Sequence, residues 1–287
     1  MATMRQIRSR IRVAKNIQQI TKAMKLVAAA RLRRAQDAVA AARPYSSSIR
    51  DVVKSVAMAA GTVRHPLLRH TKSADGKVGV LLVAGDRGLC GSYNTNATRS
   101  AMDLVRGIDP ANVRMVCVGA RGATFFRRRG YDVVAEYGVQ AAGTTFARAQ
   151  EVASVARNLF ETGQVDTLHL VFTRFISAMT QRSEVITLFP LEAPEAEDAG
   201  VQANVEFEPS ADEILETLLP RYVDALVYQA LVESTASFFG AQMTSMSSAT
   251  DNAGKMISTL TLSLNRARQA TITKEISEIV GGAEALK

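Results

Sequence analysis

Two cysteines and three histidines are all that the 287 residues contain of the side chains that most often hold transition metals or form disulfides. Cys90 stands in a glycine-rich stretch and Cys117 inside the apolar run VRMVCVG, so the chain reads as one with two free thiols in a reducing compartment. His65 and His70 bracket the segment HPLLRH and His169 falls in a strand-like run; none has the spacing of a zinc ligand. No GxSxG occurs, and no serine or cysteine stands in a nucleophile context. Long apolar runs are missing too: the longest are about eight residues, against the roughly 20 that a membrane span needs. The basic N-terminus lacks the apolar core of a secretory signal and is too poor in serine for a transit peptide, so cytosolic synthesis is expected. No catalytic residue, cofactor or metal is expected.

Other scarcities are local. No glycine precedes Gly61, no proline precedes Pro44, and residues 1–50 hold a single acid, Asp37, against twelve arginines and lysines. The start of the chain is therefore predicted to be one cationic helix. Val13, Ile17, Ile20, Met24 and Val27 alternate steps of four and three, and the series then shifts by one residue to Ala28, Leu32, Ala35, Val39 and Ala42. Near the other end, Phe239, Met243, Met246, Thr250, Ala253, Ile257, Leu260, Leu264, Ala267 and Thr271 repeat the alternation. A sustained 3.5-residue repeat is a coiled-coil seam, and the economical arrangement pairs the two helices with each other, antiparallel.

Between them the texture changes. Runs 78–84, 113–119, 131–136, 167–175 and 185–189 are strand-like, and helical stretches are expected near 95–106, 122–129 and 146–161. This alternation predicts an α/β domain with a mostly parallel sheet. The segment from Pro190 to Glu216 has nine acids and no base, and reads as an acidic connector.

The stretch GDRGLCG, Gly85 to Gly91, follows the first predicted strand, at the strand end where such sheets bind ligands. It matches neither GxGxxG nor GxxxxGK[ST], and Asp86 would face a phosphate with the wrong sign. The expected alternative is a tight turn, with Gly88 and Gly91 supplying backbone freedom and Asp86 and Arg87 in a local ion pair or against a partner. The cationic helix has the charge to bind nucleic acid, but no aromatic residue precedes Tyr45 for base stacking. A basic helical hairpin on nucleic acid and a rod inserted in an acidic protein cavity both remain open on charge alone.

Four separated strings, ITKAMKLVAAARLRRAQ (Ile20 to Gln36), ARPY (Ala42 to Tyr45), GDRGLCG and NRARQATITKEISEIVGGAEAL (Asn265 to Leu286), resemble the γ subunit of F-type ATP synthase, in order and over essentially the whole length. The resemblance implies an antiparallel coiled coil of the terminal helices with a Rossmann-like α/β domain. It implies a non-catalytic rotor shaft, turned by the ring of c subunits and driving conformational cycling of the β sites in a hexamer of α and β subunits. The ε subunit would be a further partner, nucleic acid would not, and the membrane would be met only through the complex, on the cytoplasmic face. The implied divisions are a shaft helix over 1–60, a linker over 61–76, the α/β domain over 77–190, the acidic connector over 191–209 and a second shaft helix over 210–287. Carried over by position, Met24 and Lys25 would face a β subunit's acidic lever. Arg268, Gln269, Thr273 and Glu275 would make the upper contact with β. Asp86, Arg87, Phe207 and Glu208 would lie near ε and the c ring. Gln242, in ASFFGAQM, stands where the family commonly has arginine, which puts a charge contact with β at that position in doubt.

Overall fold

The structure, a computed structural model, describes residues 3–60, 65–68, 76–139, 144–191 and 210–284. Phe207 and Glu208, with the connector from residue 192, lie outside these. Two helices dominate: α1 is Met4–Ala60 and α5 is Ala211–Glu284. Between them come a short 3₁₀ turn at Pro66–Leu68, strand β1 (Val78–Val83), helix α2 (Tyr93–Leu104), β2 (Val113–Val118), α3 (Ala120–Arg127), β3 (Asp132–Tyr137), α4 (Phe146–Glu161), β4 (Thr167–Phe175) and β5 (Gln181–Phe189). The chain divides into two compact units, residues 1–28 with 243–287, and residues 29–242. The long helices run through both.

In the larger unit the strands form one sheet in the order β3-β2-β1-β4-β5. The first four are parallel and β5 returns antiparallel against β4, beginning four residues before the expected Val185. One face carries α2 and α3 over Val80, Leu82, Met115, Cys117 and Val171. The other carries α4 with segments of α1 and α5 over Leu81, Val83, Val116, Leu168 and Leu170. The central strands are covered on both faces, which is why they read as continuous apolar runs rather than alternating ones.

The coiled-coil unit corrects the expected seam of α1. Val13, Ile17, Ile20 and Val27 are 46 to 59% exposed, while Ile7, Ala14, Thr21 and Ala28 are buried and Met4, Ile11, Gln18 and Lys25 are half-buried between them. The covered series therefore runs through 4, 7, 11, 14, 18, 21, 25 and 28 and continues through Leu32, Ala35, Val39, Ala42, Ser46, Ile49, Val53 and Val56 without the expected shift. The physical reason is close approach. Small side chains in the seam let the helices come near enough for Gln18 to press on Gly254, where an added Cβ would stand 3.1 Å from its Nε2. On α5 the expected series is the covered one: Met246 and Ala253 are buried, and Met243, Thr250, Ile257, Leu260, Leu264, Ala267 and Thr271 are half-buried.

The pairing is antiparallel. Lys25 Nζ donates to Ser247 Oγ at 3.0 Å, Thr250 Oγ1 donates to Thr21 Oγ1 at 2.8 Å, and Gln18 meets Gly254, so falling numbers on α1 match rising ones on α5.

Candidate partner surfaces and the turn after the first strand

In the coiled-coil unit, two apolar stripes with the same period lie side by side on α1. The inner one passes from Met4, Ile7 and Ile11 to the small and polar Ala14, Gln18, Thr21, Lys25 and Ala28, and Val13, Ile17, Ile20 and Val27 form the outer one, which is left exposed. Around it Arg5, Arg8, Arg10, Arg12, Lys15 and Lys22 are exposed, and none pairs with a carboxylate among the described residues. Following the register, Thr3 stands level with about Gln269, so α5 runs on past it without an α1 partner among the described residues. That overhang carries Ile272, Ile276, Ile279 and Val280, all exposed. Scattered exposed apolar residues need no explanation, but aligned stripes on a helix whose seam is already filled mark an interaction surface.

The sequence-derived site residues distribute around this unit as follows. Met24 is half-buried, and Lys25 turns its ammonium to Ser247 with two donors to spare. Arg268, Gln269, Thr273 and Glu275 are exposed. Lys274 and Glu278 form an exposed i,i+4 pair at 3.5 Å, worth a few tenths of a kcal/mol. In the larger unit Gln242 is half-buried.

GDRGLCG closes the end of β1, and its polar groups are committed inward. Asp86 forms no ion pair with Arg87. Its Oδ1 accepts the N–H of Ala120, the first residue of α3, at 3.0 Å, and its Oδ2 accepts the N–H of Val139 beyond β3 at 2.9 Å. A carboxylate therefore caps α3 where an anion would otherwise bind, and one side chain ties together the ends of three strands. Asn94, which sequence reasoning missed, does the same for the turn itself. Its Oδ1 accepts the N–H of Gly85 at 2.8 Å and its Nδ2 donates to the Arg87 carbonyl at 3.0 Å and to Cys90 Sγ at 3.3 Å. The only cue to it was an amide side chain three residues past the last glycine. The left-handed positions are Leu89, at φ 62°, and Gly91, at φ 57°, rather than Gly88 and Gly91. Leu89 holds that costly conformation while exposed, next to the exposed Arg87. Burial pushes the Cys90 thiol above its ordinary pKa and the Cys117 thiol up to about 12, so both are poor nucleophiles at neutral pH.

Among the described residues no three His, Cys, Asp or Glu side chains gather as a metal site, and no helix is long and apolar enough to cross a membrane. A two-helix coiled coil with a spare apolar face, and an α/β unit whose first turn is held by Asp86 and Asn94, define a coiled-coil protein with an inserted α/β unit. The family model described as ATP synthase matches residues 3–286. Over its full length the chain is 48% identical to the ATP synthase gamma chain of Desulforamulus reducens and 48% identical to that of Heliobacterium modesticaldum, each alignment covering 100% of both chains. Its fold matches a chain in the Euglena gracilis mitochondrial ATP synthase (OSCP/F1/c-ring, rotational state 3) with a TM-score of 0.67 and 17% identity, over 99% of this chain and 94% of that one. The chain belongs to the ATP synthase gamma chain family. A γ chain is a rotor subunit of the synthase and is not itself catalytic.

Proposed function

We propose that residues 1–28 and 243–287 turn inside a hexamer of α and β subunits, and that the α/β unit meets the ε subunit and the ring of c subunits, on the cytoplasmic face of the membrane. The observation that carries this reading is the outer stripe of Val13, Ile17, Ile20 and Val27, left open by a coil that seals itself with other residues. An apolar sleeve with acidic groups complements both the stripe and the unpaired cations beside it. Each orientation of such a shaft favours one β conformation only through contacts that differ between conformations, so coupling is a population shift.

Within that reading Lys25 has ammonium protons free for a β carboxylate, and Met24 stands beside it at the edge of the seam. Arg268, Gln269, Thr273 and Glu275 are exposed for the upper contact. Gln242 contributes a hydrogen bond to β rather than a fixed charge. Asp86 is a positioning residue for the turn, which leaves Arg87 as the exposed member of the pair for ε and the c ring. The division of the chain into a shaft helix over 1–60, an α/β domain over 77–190 and a second shaft helix over 210–287 is part of the same proposal.

Co-expression with α and β subunits tests it. The wild-type chain is expected to co-purify with them and to rotate during ATP hydrolysis in single-molecule assays. Ile17→Asp with Ile20→Asp should keep the chain's helicity and block that assembly. Full assembly of the double variant would show that the outer stripe is not the sleeve contact.

A further inference from the structure

The α/β unit has a half-open cavity of about 170 Å³ at the carboxyl ends of β1, β2 and β3. Its wall is mainly apolar, with Val83 and Val118 from the sheet and Leu231 and Phe238 from α5. Three arginines, Arg31, Arg87 and Arg148, join that wall. Arg148, in the first turn of α4, has a buried Nε with no hydrogen-bond partner, although its Nη1 is held by Glu151 at 2.7 Å. A buried N–H left unpaired is costly, so this fork is under-used, and its Nη2, with no hydrogen-bond partner among the described residues, is the donor left for a ligand carboxylate. Arg31, from α1, lies 5.7 Å from the Phe239 ring centre and has no carboxylate partner among the described residues. The acid on the lining, Asp86, already has both oxygens engaged by backbone N–H groups.

The cavity's volume is close to that of a cavity of about 150 Å³ that takes up benzene. Its chemistry is a mainly apolar pocket with three arginines on its lining. We propose that this cavity binds a small organic anion, one carboxylate on an apolar body the size of a single ring, with the carboxylate on Arg148 and Arg31. An occupant touches the strand ends, α4 and both long helices at once, so it braces the sheet against those helices. Asp86 and Arg87 on its lining also belong to the surface proposed for ε and the c ring, so the test uses the chain alone, where no partner competes.

Benzoate and the neutral benzamide are the probes, titrated into the full-length chain and followed by ligand-observed NMR and calorimetry. Saturable 1:1 binding of benzoate is expected, with benzamide bound about tenfold more weakly or worse. Arg148→Gln should weaken benzoate about tenfold or more, and Thr144→Phe, which fills the lining, should abolish it. Arg128→Gln, away from the cavity, should leave it unchanged. Absence of saturable benzoate binding, equal affinity for benzamide, or binding unmoved by both cavity variants would each overturn the proposal.

Discussion

The carboxylate of Glu233 on α5 accepts the backbone N–H of Phe175 at 3.3 Å, past the point where β1 stops pairing with β4. Two more side chains of α5 act in the same way. Ser234 Oγ accepts the N–H of Thr173 at 3.1 Å, and Ser237 Oγ donates to the Thr173 carbonyl at 3.0 Å. Arg43 of α1 completes the set, donating to the Phe175 carbonyl at 3.2 Å and lying 3.5 Å from Glu233. Strand groups that have lost their neighbour are thus satisfied by the long helices, as buried backbone groups require. For a rotor subunit this junction holds the sheet to the helices that must turn with it.

Glu233→Ala strands the Phe175 N–H and is expected to cost the α/β unit about 1–3 kcal/mol, the usual penalty for a buried donor without a partner. Glu233→Gln keeps an acceptor and should cost less. Denaturant unfolding of the two variants checks the order, and equal losses would mean that the hydrogen bond to Phe175 contributes little.

The seam makes a sharp cross-linking prediction. Thr21→Cys with Thr250→Cys should form a disulfide readily under mild oxidation, because the two hydroxyl oxygens already lie 2.8 Å apart. Val13→Cys should cross-link to no single cysteine placed on residues 246–267 of α5, because it lies on the outer stripe. The buried native thiols Cys90 and Cys117 contribute little background.

Gly119 sits at φ 104°, and a Cβ there would lie 2.3 Å from the Ala84 carbonyl oxygen. Gly119→Ala is expected to cost about 3 kcal/mol or more, through both the strained conformation and the collision. Loss of the cooperative thermal transition, or a fall in its midpoint of several degrees, is the readout. An unchanged midpoint would contradict the geometry.

Burial lowers the pKa of His169 on β4 below its usual 6.5. The unfolded chain then takes up the proton at a higher pH than the folded one. Stability is full above about pH 6.5 and falls as acidification carries the pH from there toward the lower folded value. His65 is shifted the same way, chiefly by burial, with Glu216 and Glu161 opposing. His169→Asn should flatten the stability profile below about pH 6.5 without removing its slope, since His65 remains. An unchanged profile would place His169 in solvent contact.

Much of this molecule is written in local pattern. Strand runs such as VGVLLVA and the helix at 146–161 are legible because burial on both faces, or on one helical face, selects residue types within a few positions of one another. The 3.5-residue repeat at each end likewise determined that two long helices exist and that each needs a partner. Which stripe of α1 is buried was not legible. Val13 and Ala14 begin two series of the same period, and hydrophobicity alone favours the wrong one. The choice depends on Ser247, Thr250 and Gly254, more than 220 residues away, whose small size lets the helices approach over Gln18, Thr21 and Lys25. The same distance hid the work of Asp86, whose partners lie 34 and 53 residues on, and of Glu233, whose partner lies 58 residues back. Sequence carries the period and composition of each element, which are local. Close approach and hydrogen-bond partnership belong to pairs of elements, and only the tertiary structure brings those pairs together.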